Sequence, residues 1–301
     1  MISVIIPTHN RKNNVELNLT NLTKQTLPKE RFEVILIDDG SDDGTIELAN
    51  IFKDKFQFKY AWLNKKDVWN ASRPRNFGAK IAEKTSEAFV FVDSDILLNN
   101  QALEFYEQDL QKNKERVVVG PYDWLLPQFI TSQDVINRFD DVINNKLMPV
   151  TVHGGLGYLG KDTRQVSFDK ANSADDVFTE IYDGLACFGG NLMIPKNIFW
   201  KAGGYDENIF SGCEDGDFGL TLWETKIGFS YDKRTIGYHM WHPLSAHRSA
   251  HVKEDVDKLN LKHFGTTEQK LIDYTKEAFR RWGNDTWQAP PEWISQEGFE
   301  L

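Results

Sequence analysis

Two aspartates, Asp93 and Asp95, stand one residue apart at the end of an apolar run that begins at Ala88. Carboxylates are costly to bury unless they are paired or bind a metal. In an extended chain, residues i and i+2 point to the same side, and their oxygens suit Mg²⁺ or Mn²⁺. The pair is therefore a candidate divalent-cation site, which would offset charge on a departing diphosphate. The alternative is a turn with helix-capping acids.

A second acidic cluster, DDGSDDGT (38–45), follows an apolar strand pattern and precedes a helical one. Asp38 or Asp39 could accept hydrogen bonds from a base or a ribose, and the position of Asp39 at the strand tip favours this residue. Asp42 and Asp43 are predicted to cap the following helix, because short acids satisfy the free N–H groups there.

Cations occur at one predicted helix start, in the motif RPRN (73–76). Arginines at a helix N-terminus are typical of an anion site, since the helix end also offers free N–H groups. The alternative interpretation is a solvated surface turn.

Three further acids, Glu214, Asp215 and Asp217, crowd into GCEDGDF (212–218). Neighbouring carboxylates raise one another's pKa, which suits a general base that takes a proton from an attacking hydroxyl. The alternative is again a set of acids at the start of a helix. Cys213 is most simply a small apolar filler.

Two histidines, His239 and His242, lie in YHMWHP (238–243) after a predicted strand. Either of them could complete a metal site with Asp95. A single histidine is more often structural, so this interpretation depends on the other clusters lying nearby.

Strand and helix patterns alternate through about residue 120, which predicts βαβ units and an α/β fold with a mostly parallel sheet. The predicted strands are 2–7, 32–40, 58–64 and 88–95, and the predicted helices are 13–26, 44–56, 74–85 and 100–113. Ligands bind outside the carboxyl ends of such strands. Three strand ends carry the polar clusters PTHN, DDGSDDG and DSD, so we expect them to face one crevice.

Beyond residue 120 the pattern changes. Residues 120–185 show weak periodicity and are predicted to be largely functional loop, whereas 186–242 return to strands and helices. The predicted organisation is one domain over 1–250, with a nucleotide-binding half (1–120) and an acceptor and catalytic half (121–250). A helical C-terminal extension follows over 251–301.

The composition excludes several classes of protein. A hydrophobic content of 40% and a charged content of 27% over 301 residues are typical of a globular protein. The formal net charge of −10 argues against nucleic acid as a partner. Two cysteines are too few for a disulfide framework and favour a reducing cytoplasm. The sequence also predicts no signal peptide and no membrane span.

The motifs SVIIPTHNR, VILIDDGSDDGT, RPRNFGA, FVDSD and GCEDGD, in this order, resemble a family 2 glycosyltransferase with a GT-A fold. The resemblance runs through residues 2–120 and again through 186–242. Segment 188–218 further resembles the C-terminal half of galactosyl- and N-acetylgalactosaminyltransferases, where a Gly-Gly-Asn stretch and a Glu-Asp pair frame donor sugar and acceptor.

The resemblance implies a role for each matching position. Asp39 corresponds to the acid that reads uracil, Arg75 to an arginine on the nucleotide side, and Asp93 to a residue near ribose and sugar. The full set implied to bind the nucleotide-sugar donor is Pro7, Thr8, Asn10, Arg11, Asp39, Arg75, Asp93, Ser94, Gly190 and Asn191.

The same resemblance implies the chemistry. Asp215 corresponds to the catalytic base of inverting members, with Glu214 beside it, while Asp95 and His239, preferred to His242, correspond to ligands of Mn²⁺ or Mg²⁺. The expected reaction is inverting transfer of one hexose or N-acetylhexosamine from a UDP-sugar to a hydroxyl of a glycan, lipid-linked glycan or glycoprotein. UDP is favoured over GDP or dTDP because Asp39 and the PTHN loop resemble the uridine-reading members.

Two departures and two alternatives accompany this expectation. AFRRW (278–282) has Ala278 where the Q-x-x-R-W motif of processive synthases has glutamine, so we expect one sugar per visit, and residues 121–185 match no known pattern. The alternatives are a non-catalytic sugar-nucleotide or glycan-binding module, and a nucleotidyltransferase. The latter would need a glycine-rich basic loop after the first strand, but IIPTHNRKNN contains no glycine.

The C-terminal extension carries Trp282, Trp287 and Trp293 near basic residues. We expect these tryptophans to pack on the domain. The alternatives are contact with the inner face of a membrane that carries a lipid-linked acceptor, or contact with a partner protein.

Overall fold

The computed structural model describes residues 1–64, 70–148, 160–210, 213–242, 252–266, 268–284 and 288. The strands are β1 (Ile2–Thr8), β2 (Phe32–Asp38), β3 (Gln57–Trp62), β4 (Ala88–Val92), β5 (Ile96–Leu98), β6 (Arg116–Val119), β7 (Tyr122–Trp124), β8 (Asn191–Pro195), β9 (Gly228–Tyr231) and β10 (Gly237–His239).

The helices fill the intervals between these strands. They are α1 (Lys12–Leu22), α2 (Glu47–Phe52), α3 (Ser72–Ile81), α4 (Ala102–Lys112), α5 (Ser132–Asn137), α6 (Phe139–Ile143), α7 (Gln165–Lys170), α8 (Ile181–Leu185), α9 (Lys196–Lys201), α10 (Glu214–Glu224), α11 (Val252–Phe264) and α12 (Lys270–Arg281). Short 3-10 helices occur at Lys29–Arg31 and Lys233–Thr235.

The strands form one large and one small sheet. The large sheet has the order β3-β2-β1-β4-β8-β6-β9, in which β8 runs antiparallel to both β4 and β6 and the other pairs are parallel. The small sheet has the order β5-β10-β7. The predicted α/β fold with a mostly parallel sheet is confirmed. Because β4 pairs with β8, the two predicted halves share one sheet.

The central strands are buried on both faces. Every residue of β1 and β2 is buried, as expected for parallel strands covered by helices on each side. Alternate residues enter different cores: Ile5 and Ile35 lie in one, while Val4 and Val34 lie in the other. Both cores hold the strand ends in fixed register, and thereby fix the polar residues that follow them.

Several predictions of the secondary structure differ from the structure. The strand predicted over 88–95 ends at Val92, and Asp93 to Asp95 form a turn into β5, in which the Ile96 N–H donates to the Asp93 carbonyl (3.0 Å). Helix α3 begins at Ser72, before Pro74. Region 120–185 contains β7 and four short helices, so the part of it that is described is not simply loop.

The C-terminal extension packs on the domain where it is described. Leu259 of α11 and Leu271 of α12 belong to the same core as Phe91. Trp282 is buried, with its ring 6.2 Å from that of Phe188, and is therefore not available to a membrane. Trp287 and Trp293 lie outside the described residues. No helix in the described ranges is long and apolar enough to span a membrane.

Helices α8 and α10 pack closely because Gly184 and Gly219 face each other. A Cβ at Gly219 would lie 2.8 Å from the Gly184 carbonyl carbon and closer still to its oxygen. We predict that Gly219→Ala lowers the free energy of unfolding by about 1–3 kcal/mol, because backbone must move to admit the methyl group.

The matched control is Gly216→Ala on the same helix, where a Cβ meets nothing within 4 Å. That variant should be neutral or stabilising by up to about 1 kcal/mol, since alanine is the better helix former. Urea unfolding of both variants measures the difference, and equal stabilities would contradict the predicted close approach.

Candidate active site

The three predicted strand-end clusters meet at one edge of the large sheet. Strands β1, β2 and β4 are parallel neighbours, so Thr8, Asp38 and Val92 all end at that edge. Asn10, at φ 51°, ties two of the loops together: its N–H donates to Ser41 Oγ (2.8 Å) and its Oδ1 accepts from the Asp42 N–H (2.9 Å). The three clusters therefore meet at one edge of the sheet, as expected, and the space between them is called the crevice below.

Two acids of the second loop, Asp38 and Asp43, have structural roles. Asp38 accepts from Tyr60 Oη and from the Ser41 N–H, both at 2.8 Å. Asp43 accepts from the N–H of Lys12, the first residue of α1 (2.8 Å), so it caps a neighbouring helix rather than the one that follows it. These hydrogen bonds fix the position of the loop beside the crevice.

Asp39 is the acid that remains at the strand tip. Its Oδ1 accepts from Arg73 Nη1 (3.0 Å), and the same nitrogen donates to the Asn64 carbonyl (2.9 Å). The Asp39 N–H donates to the Thr8 carbonyl (2.8 Å). Pro7 and Thr8 are themselves buried in β1, and Thr8 Oγ1 has no hydrogen-bond partner within the described ranges. The loop residues of this cluster, rather than Pro7, are placed to meet a ligand.

Arg75 lies among the acids of the crevice. Its side chain is 2% exposed, and its guanidinium reaches three carboxylates: Asp93 Oδ1 at 2.9 Å, Asp215 Oδ1 at 3.1 Å and Glu214 Oε1 at 3.5 Å. The Tyr205 ring covers it at 5.1 Å. Arg75 therefore lies beneath the acids of the crevice and positions them.

Two asparagines at the start of α3 form hydrogen bonds with the loop that leads to α10. Asn76 donates to the Tyr205 carbonyl (2.8 Å) and accepts from the Tyr205 N–H (2.9 Å). Asn70 donates to the carbonyls of Glu207 (2.7 Å) and Ile209 (3.2 Å). The start of α3 therefore holds the chain that leads to α10, while its two arginines bind carboxylates of the protein itself.

The acids of GCEDGDF lie in the first turn of α10, where the helix dipole favours negative charge. The side chain of Asp215 is 23% exposed and that of Glu214 is 9% exposed. Burial, followed by the charge of Asp215, raises the pKa of Glu214 to about 7. Asp217 turns away and binds Lys262 (2.8 Å) and His263 (2.9 Å) of α11, so it does not join the crevice.

In the Gly-Gly-Asn stretch, the two glycines lie beside the acids of the crevice and the asparagine lies in the core. A Cβ at Gly189 would lie 2.9 Å from Arg75 Cζ and closer to Asp215 Oδ1, so only glycine fits there. The Gly190 carbonyl accepts from the Asp93 N–H (3.0 Å). Asn191 points into the core, where it bonds to Tyr106 Oη (2.7 Å) and to the carbonyls of Pro121 and Thr235 (2.9 Å each). All of its amide atoms are used, so it supports the site instead of contacting the donor.

Asp95 and His239 face each other with lone pairs. His239 Nε2 lies 3.5 Å from Asp95 Oδ1, while His239 Nδ1 lies 2.9 Å from the Met240 carbonyl. A carbonyl only accepts, so Nδ1 carries the proton and Nε2 is left as an acceptor. Asp95 Oδ1 is buried and has no hydrogen-bond partner in the described part of the chain. These residues fit a divalent cation, which would satisfy both atoms.

His242 also reaches this carboxylate. Its Nε2 lies 2.9 Å from Asp95 Oδ2, and Arg11 Nη2 lies 3.0 Å from its Nδ1. The ligand atoms of Asp95, His239 and His242 all lie within 4.8 Å of one another. Burial opposes ionisation of Asp95, but the hydrogen bond from His242 and the nearby charge of Arg11 hold the pKa of Asp95 below its ordinary value.

The two aspartates of the DSD turn therefore do different things. Asp93, whose side chain is 36% exposed, binds Arg75, whereas Asp95 turns to the histidines and Ser94 is buried between them. The expectation that both side chains share one face fails, because the chain turns here instead of continuing as a strand.

Residues 3–129 match the family model described as glycosyl transferase family 2. This match covers the first, nucleotide-binding half of the predicted organisation. The fold of the chain is GT-A: S. aureus TarS 1-349 in complex with UDP-GlcNAc is similar over 93% of this chain and 72% of that one, with a TM-score of 0.63 and 18% identity. The mannosyltransferase PcManGT from Pyrobaculum calidifontis, in complex with GDP-Man and Mn²⁺, is similar over 97% of this chain and 66% of that one, with a TM-score of 0.53 and 16% identity.

One curated relative extends the similarity beyond the family match. The validoxylamine A glucosyltransferase of Streptomyces hygroscopicus subsp. limoneus is 32% identical over 258 residues, which cover 80% of this chain and 52% of that protein. The chain covers only 18% to 36% of the length of the first curated relatives that it matches. The resemblance of 188–218 to galactosyl- and N-acetylgalactosaminyltransferases stays a prediction.

Several residues of this site escaped the sequence analysis. Trp124 stacks on His239, with ring centroids 3.9 Å apart. Asn18 donates to the Ile96 carbonyl (2.6 Å) and so holds the turn that carries Asp95. Their partners are distant in the sequence, and the only signal would have been polar or aromatic residues within otherwise apolar elements.

The raised pKa of Glu214 predicts a pH-dependent stability. The folded protein holds more protons than the unfolded chain between pH 4.5 and about 7, so the free energy of unfolding falls as the pH rises through that window. The loss is on the order of 3 kcal/mol, from roughly 1.4 kcal/mol per pKa unit. Glu214→Gln should therefore gain stability relative to the wild type between pH 5 and pH 8.

Urea unfolding at both pH values measures this gain. The control is Glu115→Gln, which changes an exposed glutamate and should leave the wild-type pH dependence intact. Parallel pH curves for Glu214→Gln and the wild type would show that Glu214 ionises normally.

Proposed function

We propose that the protein is an inverting, metal-dependent glycosyltransferase that moves one hexose or N-acetylhexosamine from a UDP-sugar to a hydroxyl acceptor. The observation that carries this proposal is the position of Asp215: partly exposed in the crevice and held on Oδ1 by Arg75, which also holds Asp93. A base fixed beside a donor-binding acid is what a single in-line displacement requires.

Asp215 is the base in this proposal. Its Oδ1 is occupied by Arg75, which leaves Oδ2 to take the proton of the acceptor hydroxyl as that oxygen attacks the anomeric carbon. Glu214 lies behind it, and its raised pKa leaves it largely protonated below pH 7, which reduces the repulsion that two adjacent carboxylates would suffer. Inversion follows, because one attack occurs from the face opposite the leaving group.

The nucleotide would be read at the other end of the crevice. Asp39 is held by the positive charge of Arg73, which favours its ionised, acceptor-only form. Such a carboxylate pairs with a base that offers an N–H, as uracil does, and it repels one that offers a lone pair. Asn10 and Arg11 border this position, and Asp93 would meet the ribose or sugar. UDP is therefore the favoured nucleotide.

Asp95 and His239 would hold the cation, which supplies positive charge to the departing diphosphate. Met240 N–H donates to the Asp95 carbonyl (2.7 Å), and Trp124 packs on His239, so both ligands are held by the small sheet. The carboxylate of Asp95 suits Mn²⁺ or Mg²⁺.

The proposal also covers the acceptor, the number of sugars added and the compartment. The acceptor would be a carbohydrate or glycoconjugate, and one sugar would be added per visit because AFRRW lacks the glutamine of processive enzymes. Cys187 and Cys213 are both buried free thiols, which suits a reducing compartment, so we place the reaction in the cytoplasm. UDP release from a panel of UDP- and GDP-sugars with Mn²⁺ identifies the donor.

Asp215→Asn should lower sugar transfer by at least about 100-fold, the usual contribution of a general base, while UDP affinity changes by no more than about threefold. Activity and calorimetric UDP binding are measured on the same preparation. The control is Asp169→Asn on α7, an exposed acid paired with Lys233, which should remain fully active. Transfer by Asp215→Asn at the wild-type rate would remove the proposed base.

Asp95→Ala should weaken Mn²⁺ binding by at least about tenfold, because it removes the only carboxylate among the proposed ligands. Calorimetry with Mn²⁺, in the presence and absence of UDP, measures the change, and Asp169→Ala again serves as the control. Unchanged Mn²⁺ affinity would exclude Asp95 as a metal ligand.

A further inference from the structure

We propose that Arg11 controls whether His242 can bind the cation, an inference that rests on the proposed metal site at Asp95 and His239. While Arg11 contacts His242 Nδ1, His242 serves as a hydrogen-bond donor to Asp95. When the diphosphate of a nucleotide draws Arg11 away, His242 becomes a third protein ligand. Nucleotide and cation binding are thereby coupled through one side chain.

The proton positions of His242 follow from its neighbours. A guanidinium offers only N–H groups and does not lose its charge, so the 3.0 Å contact from Arg11 Nη2 requires an acceptor at Nδ1. The neutral ring then carries its proton on Nε2, which lies 2.9 Å from Asp95 Oδ2, a typical donor distance. A nitrogen that carries a proton has no lone pair for a metal.

His239 has the opposite arrangement on the same carboxylate. Its Nδ1 faces the Met240 carbonyl (2.9 Å), so its Nε2 is already the acceptor that a cation needs. His239 can thus bind a cation through Nε2, whereas His242 donates a hydrogen bond from Nε2 to Asp95. The difference lies in what each Nδ1 faces: a backbone carbonyl for His239, and the side chain of Arg11 for His242.

Arg11 is the residue through which a nucleotide would change this state. It follows Asn10 in the loop after β1, and that loop is held through backbone and Asn10 contacts to Ser41 and Asp42. The Arg11 side chain can therefore change partner without moving the loop. A diphosphate gives it a charge-assisted hydrogen bond, which is stronger than its bond to a neutral imidazole.

Release of Nδ1 lets the His242 proton move there, which opens Nε2 to the cation. Because binding couplings are reciprocal, the cation must then favour the nucleotide by the same factor. Direct contact between cation and diphosphate contributes to any such coupling, so a test has to separate the contribution of Arg11 and His242 from it.

The test uses a double-mutant cycle without nucleotide: wild type, Arg11→Met, His242→Gln and the double variant, with Mn²⁺ affinity measured by electron paramagnetic resonance. Arg11→Met should strengthen Mn²⁺ binding about tenfold where His242 is present. In the His242→Gln background the gain should be at most about twofold, since only the lost charge acts there. Equal gains in both backgrounds would overturn the inference.

A second measurement needs no variant. Electron spin echo modulation counts the imidazole nitrogens on Mn²⁺, and we expect one for the wild type alone and two after UDP is added. One nitrogen in both states would overturn the inference while leaving the Asp95 and His239 site intact. If wild-type protein binds no Mn²⁺ at all, the proposed cation site fails, and this inference fails with it.

Discussion

The buried guanidinium of Arg75 is the interaction on which the rest of the site depends. It lies among Asp93, Glu214 and Asp215, which come from two separate elements, and Tyr205 covers it. A buried cation is stable only when its partners are in place, and three acids this close would repel one another without it. Arg75 thus fixes the distance between the end of β4 and the start of α10, which is the width of the crevice.

The short segment around Arg75 explains why the two predicted halves act as one body. Arg73 holds Asp39 at the end of β2, in the first half, whereas Asn76 holds the backbone of Tyr205 in the second. The same unity appears in the sheet, where β4 of the first half pairs with β8 of the second. The helical extension adds to it, because Lys262 and His263 of α11 bind Asp217 in the first turn of α10.

Neighbouring acids in this protein have separate partners. Asp93 and Asp95 are divided between Arg75 and the histidines, and Glu214 and Asp217 are divided between the crevice and α11. Each carboxylate is matched with a cation or a donor, as burial demands. Asp215 keeps one side of its carboxylate in the crevice, and Asp95 Oδ1 is buried beside the lone pair of His239. These are the two atoms to which the proposal assigns chemistry.

The sequence by itself determined the order of strands and helices, because fully apolar runs that alternate with helical patterns pack stably as a parallel sheet covered on both faces. It also determined that PTHN, DDGSDDG and DSD share one edge, since parallel strands end together. Only the tertiary structure decided that Arg75 lies beneath the acids, that Asn191 supports the core, and that Asp95 meets both His239 and His242. Those partners are 18 to 147 residues apart, and the geometry of a single turn decides which way each side chain points.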